Sequence, residues 1–341
     1  MTFFGGETTS TSSSYQLLHE EEAGAFGHIN VCQDVATNAI VAVKYLKRGP
    51  SNISDIVLQE VVQHRNLYHP NIMLFRKVIL TETALGIVVE HAAGGNLQDY
   101  VRDSSPLQEV DARYLFQQIV VALIYLETKG VGNHGLKIEN VMLDKSTPPK
   151  VKMTDVGYWK CTLDTLPKSR IGSFGYVAPE VLLNKKDVDT RKADCWSVGV
   201  ILYQLLYGEH PFERPSDQEE GSVKRTLHRI VQVEYRLPAH ASAVSPEALD
   251  LLQHVLVEDP VKRYSLQDMQ MHPWFRKGLP SSLIKINEEC LAMQEADYFV
   301  SQPSEEMVEV IKHAMLPLDN DSFDGGFGSE DYDDIDDLMD A

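Results

Sequence analysis

Gly24 and Gly27 bracket a short turn, and the apolar run Val41-Ala42-Val43 further on ends in Lys44. The backbone N–H groups of a glycine turn can come close to phosphate oxygens, and a lysine on the next strand can hold those oxygens as a point charge. The same residues also describe an ordinary tight turn beside a surface lysine, so the pattern needs support. Glu60 supplies some. It lies 16 residues after Lys44 in a segment of helical pattern, where its carboxylate can orient the ammonium group.

The elements that must position these groups are partly legible. Val41–Leu46, Phe75–Leu80 and Leu85–Val89 are short, rich in Val, Ile and Leu, and bounded by turn residues, so they read as strands. A helix is expected from about Ser54 to Asn66, and His69-Pro70-Asn71-Ile72 opens the strand after it. From Leu107 the period lengthens to that of a helix, with Leu115, Ile119, Ala122, Leu123 and Leu126 on one face and Gly130 as the stop. Further helices are expected at Arg191–Tyr207, closed by Gly208, and at Pro246–Val257, capped by Ser245. The expected class is therefore α+β, a small β-rich lobe with one main helix followed by a larger helical lobe.

Composition limits what such a molecule does. The 341 residues hold 31 Lys and Arg against 50 Asp and Glu, a net charge of −19, which argues against a general binder of nucleic acid or anionic membrane. An apolar share of 43% suffices for a sizeable core, yet no run approaches the roughly 18 residues of a membrane span. Met1–Ser14 lacks the basic start and apolar stretch of a secretory signal. Cys32, Cys161, Cys195 and Cys290 are scattered, so a reducing compartment, cytoplasmic or nuclear, is expected. The polar leader within residues 1–14 is expected to be disordered. Residues 319–341 carry ten acids and no Lys or Arg, with Tyr332, Ile335 and Leu338 interleaved, and read as a disordered arm for a basic surface on a partner or on the protein itself.

The densest pattern comes later. Leu136-Lys137-Ile138-Glu139-Asn140, Asp155-Val156-Gly157, Ala178-Pro179-Glu180, Ala193-Asp194-Cys195-Trp196-Ser197, Arg263 and His272-Pro273-Trp274-Phe275 follow one another in an order that resembles the protein-kinase signature set over residues 15–275. The finer resemblance is to plant and algal Ser/Thr kinases related to sucrose-nonfermenting-1, subgroup two. It rests on Tyr45–Gly49, His69–Leu80, Glu90–Gly95, Gly157-Tyr158, Pro167-Lys168-Ser169, a helix-like segment Ser304–Met315 and the acidic C-terminus.

That resemblance implies a bilobal kinase fold with a five-stranded antiparallel sheet, the small lobe at about 15–92 and the large lobe at about 93–275. A C-terminal extension at 276–318 would carry a helix, capped by Ser304, that docks on the small lobe, and 319–341 would be the acidic tail. ATP and Mg2+ are the implied cofactors. Gly24 and Gly27 would lie over the phosphates, Ile29, Ala42 and Met142 against adenine, and Lys44 with Glu60 at the phosphate-positioning pair. Val89 would be the gatekeeper, the backbone of Glu90 to Ala92 the adenine-contacting hinge, and Asn140 and Asp155 the metal ligands. Ser169 matches an activation-loop phosphosite, Glu180 and Arg263 a buried structural ion pair, and Asp194 a contact to the catalytic-loop backbone. Stress or osmotic signalling is implied, with type-2C phosphatases or upstream kinases as partners.

Three departures change the expected activity. Asn133, His134 and Gly135 stand where the family has His, Arg and Asp, so the group that accepts the substrate hydroxyl proton is missing, and with it about 10²- to 10⁴-fold in rate. Asn133 and Val156 also remove two rings from the apolar column that links the lobes of active kinases. Glu22 sits at the first glycine position of the nucleotide loop, a carboxylate near triphosphate. Lys137 could still neutralise a phosphoryl group. The expectation is a pseudokinase or severely impaired Ser/Thr kinase that binds nucleotide. The alternatives are a working kinase with a non-standard loop and a nucleotide-free scaffold.

Overall fold

Alternation decides the central strand. Val41, Val43 and Tyr45 are buried on one side of residues 40–47, while Ala42, Lys44 and Leu46 on the other are half-buried. The fold is seen in a computed structural model that describes residues 14–24, 27–104, 107–132, 136–154, 171–183, 185, 188–214, 222–238, 244–293 and 302–317. These divide into a small unit, residues up to 92 together with those from 302 to 317, and a large unit, residues 93–292.

The small unit is built on β1 (Tyr15–Gly24), β2 (Gly27–Asp34), β3 (Ile40–Lys47), β4 (Phe75–Leu80) and β5 (Ala84–Glu90). They form one antiparallel sheet in the order β1-β2-β3-β5-β4. One face packs Tyr15, Cys32, Val41, Val43, Tyr45, Ala84 and Val88 into a core cluster. Helix α1 (Asp55–Arg65) lies against β4 and buries Glu60, Val61, His64 and Arg65. The His64 ring is fixed by the Met73 carbonyl, 2.7 Å from Nε2, and by an edge contact with Phe75.

The large unit starts with α2 (Leu97–Ser104) and α3 (Glu109–Thr128), followed by the short hairpin β6 (Val141–Leu143) and β7 (Val151–Met153). Then come α4 (Pro179–Leu182), α5 (Thr190–Tyr207), α6 (Ser222–Val231), α7 (Pro246–Val255), α8 (Leu266–Met271), α9 (Pro273–Arg276) and α10 (Ser281–Ala292). Helices α3 and α5 are buried around most of their circumference and pack on each other. Trp196 and Trp274 are core residues, 0% and 1% exposed. The long helices end where glycine can take a left-handed backbone, φ +71° at Gly130 and +74° at Gly208. Glu109 joins three elements. Its carboxylate accepts from Ser245 N and Oγ at 2.7 and 2.9 Å, from Trp274 Nε1 at 2.8 Å and from Arg113 at 3.2 Å. Burial would raise its pKa, but the hydrogen bonds from Ser245 and Trp274 outweigh it and leave the carboxyl below its ordinary value.

The chain then returns to the small unit. Helix α11 (Ser304–Ala314) packs on β4, β5 and α1 and buries Met307, Ile311 and Ala314. Ser304 is not its cap, as the sequence reading had it. Pro303 holds the N-cap position, no side chain caps the helix, and Ser304 is the first helical residue. The polar entry is made instead by Gln302, whose amide accepts from Val78 N at 2.9 Å, donates to Val78 O at 3.3 Å, and reaches Glu306 at 3.1 Å. It thereby satisfies edge groups of β4 that would otherwise be buried unpaired. At the other end of α11, Arg48 Nη2 donates to His313 O at 3.2 Å and Gly49 N to Ala314 O at 2.9 Å.

Candidate functional site

Strand register gathers the small-unit candidates. Ile29 pairs with Lys44, Ala42 pairs with Val31 and with Val89, and Lys44 pairs with Ile87. Directly paired residues share a face, so Ile29, Ala42, Lys44 and Val89 lie together on the side of the sheet opposite the Val43 and Tyr45 core. Ala42, Lys44 and Val89 are all half-buried, a surface able to receive an apolar ring at one end and a charge at the other. Glu60 is 6% exposed within α1 of the same unit. Gly24 and Gly27 pair with each other as the last residue of β1 and the first of β2, and residues 25 and 26 between them lie outside the described residues.

The hinge segment is pinned at both ends by backbone contacts. Glu90 N donates to Leu74 O at 2.9 Å, and the Glu90 carboxylate accepts from Leu74 N at 2.8 Å, so the side chain completes a reciprocal pair with the chain before β4. Ala92 is buried. Within the large unit, Gly94 N donates to Leu143 O at 2.8 Å and Leu143 N to Gly95 O at 2.9 Å. A Cβ on Gly94 would meet the carbonyl oxygens of Leu143 and Asp144, so only glycine lets the chain approach β6 this closely.

Sequence reasoning missed one contact here. The β1–β2 register shifts between Glu20 and Glu22, leaving Glu21 as the extra residue. Its carboxylate lies 3.2 Å from Nε2 of His91 and 3.9 Å from Nε2 of His19. No spacing signal announces such a contact, because a bulge can re-aim any residue of a strand and the partner is 70 residues away.

The large unit holds the metal-directed candidates. Lys137 is half-buried and precedes a single 3-10 turn, Ile138–Asn140, which runs directly into β6. Asn140 O accepts from Thr154 N at 3.1 Å, so the residue just before Asp155 is held against Asn140 by the β6–β7 hairpin. Met142 pairs with Lys152 and bridges to Asn96. The carboxamide of Asn140 and the carboxylate of Asp155 are hard oxygen donors, which fits Mg2+ beside phosphates. Asn133, His134, Gly135, Asp155, Val156 and Ser169 lie outside the described residues, as do most of the leader and all of 319–341.

Two further expectations concern the frame. Arg263 and Glu180 form the buried ion pair predicted from the sequence, two-pronged at 2.7 and 2.8 Å with side chains 0% and 3% exposed. Arg263 also donates to the carbonyls of Lys192, Val257 and Glu258, so all its charge is directed at acceptors. Tyr176, the last residue of the 3-10 segment Ile171–Tyr176, donates its hydroxyl to Gln204 Oε1 at 3.0 Å.

Comparison with known proteins gives one answer. The family description "protein kinase domain" matches residues 17–275. The chain is 40% identical over 307 residues to the serine/threonine-protein kinase SRK2E of Arabidopsis thaliana, across 90% of this chain and 83% of that protein. It is 38% identical over 326 residues to SAPK2 of Oryza sativa subsp. indica, across 94% of each, and 38% identical over 303 residues to SRK2A of Physcomitrium patens.

Proposed function

This chain belongs to the protein kinase family, and we propose that Gly135 takes the place of that family's catalytic Asp, so that the protein is a Ser/Thr-kinase-like signalling protein that binds ATP with Mg2+ and transfers phosphoryl groups weakly or not at all. Gly135 carries the reading, since glycine has no side chain to take the proton of a substrate hydroxyl. Asn133 and Val156 support it, because the resembled active kinases carry rings at those two positions and these residues carry none.

Nucleotide binding rests on the common face of Ile29, Ala42, Lys44 and Val89. There Ile29 and Ala42 would contact adenine, and the backbone from Glu90 to Ala92 would read its edge; Met142 is a further adenine candidate by its place in the sequence. Lys44, oriented by Glu60, would hold phosphates beside the Gly24–Gly27 turn. Asn140 and Asp155 would hold Mg2+, which supplies neutralisation of phosphate charge when bound. Type-2C phosphatases and upstream kinases are the partner classes this reading favours, with Ser169 as a candidate phosphosite.

A working kinase is the second reading, favoured by the retention of Lys44, Glu60, Asn140 and Asp155 together. Phosphoryl transfer leans mostly on positioning and metal charge, so a lost base need not end it. Melting with and without Mg-ATP tests binding. At a hundredfold excess over Kd, stabilisation of about 2.7 kcal/mol is expected, and no shift at any concentration leaves a nucleotide-free scaffold. Radiolabelled transfer tests chemistry. Strong labelling of protein substrates that Lys44→Met abolishes would establish the working kinase instead.

A further inference from the structure

Helix α6 buries Thr226 and Ile230 against α4 and the 3-10 segment Ile171–Tyr176, at 8% and 0% exposure. Its other side carries Lys224, Arg225, His228 and Arg229, positions one turn apart that share a face. Lys224, Arg225 and His228 are exposed, and Arg229 reaches inward to donate to Phe212 O at 2.5 Å. Together with Glu234 they line a concavity of about 420 Å3. Its rim is shaped by Val233, a β-branched residue in the left-handed region at φ +54° that turns the chain so that Glu234 N bonds Arg229 O at 2.8 Å. In a chain of net charge −19, three cations and a histidine lining one hollow with a single acid among the described residues of its lining are an unusual concentration.

We propose that this α6 surface is the docking site for the chain's own acidic segment, residues 319–341. Charge complementarity selects that occupant, because the segment offers ten carboxylates and no cation. Its Tyr332, Ile335 and Leu338 recur every three residues, and such groups pack on the apolar stems of lysine and arginine while carboxylates meet their heads. The proposal goes beyond nucleotide binding and does not depend on it.

Carbodiimide coupling of the full chain, read by peptide mass spectrometry, tests it without nucleotide. At low salt the monomer should yield an amide between Lys224 and an acid of 319–341 as the leading product of that segment, and 0.5 M salt should cut it about tenfold. His228→Glu, which keeps Lys224 but opposes the segment, should lower the yield about fivefold with an unchanged melting temperature. Coupling spread over the exposed lysines without preference, or indifferent to salt, overturns the assignment. Products found only in cross-linked dimers overturn the intramolecular occupant in favour of a second copy. If the variant fails to fold, the salt series on the natural chain still decides.

Discussion

Arg263 shows how much one side chain can integrate, since its guanidinium bonds Glu180 twice and three backbone carbonyls from two segments, Lys192 and Val257-Glu258. Removing either charge leaves the other buried and uncompensated, so Arg263→Ala and Glu180→Ala should each cost about 3–5 kcal/mol in chemical denaturation. A loss under 1 kcal/mol would mean that water reaches the pair. Lys44→Met should abolish the Mg-ATP melting shift, read against the nucleotide-free melt of the same variant. Gly135→Asp addresses the other half of the proposal. If transfer activity appears only in that variant, the missing carboxylate is the lesion. If neither protein is active, Asn133, Val156 or Glu22 also disables the site. Both residues of the ion pair were readable from their motifs. The contact of Glu21 with His91 was not, because it depends on a bulge that spacing does not encode.

Secondary elements were mostly legible, with errors at their ends. Phe75–Leu80 matches its strand, Arg191–Tyr207 misses only Thr190, and the helix read from Leu107 begins at Glu109. Ends are set by which polar group caps the last free backbone donors, and that competition is tertiary as often as local. Helix α11 is the clear case. Ser304 has the right chemistry for a cap, but Gln302, two residues earlier, is held by the edge of β4 and starts the helix from Pro303. Gln302→Ala should therefore strip two hydrogen bonds from buried Val78 and cost about 1–3 kcal/mol. Amide exchange should rise selectively in α11 and β4. A uniform rise over the whole chain would show that α11 does not dock through this residue.

Charge and protonation act on the whole molecule. Of the net charge of −19, residues 319–341 supply −10, so residues 1–318 carry −9 and a figure that seemed global is more than half local. Acid should unfold the chain partly through His210, whose ring packs edge-on against Tyr176 and fills the space beside Gly175. Burial lowers its pKa from 6.5 to about 4, with the Gly175 backbone opposing. Between those values the unfolded chain holds the extra proton, so stability falls as pH drops from about 6.5 to 4, by up to about 3 kcal/mol. His210→Phe should flatten that part of the melting curve against pH, and an unchanged slope would assign it to other groups. The linear order of residues was enough to settle the family and the fold class, because those depend on residue type and spacing. Packing alone decided that Ile29, Ala42, Lys44 and Val89 share a face, that Glu21 meets His91, and that Gln302 closes the edge of β4. Each of these joins residues far apart in the chain, and their proximity is set by register and burial, quantities that have no value until the elements come together.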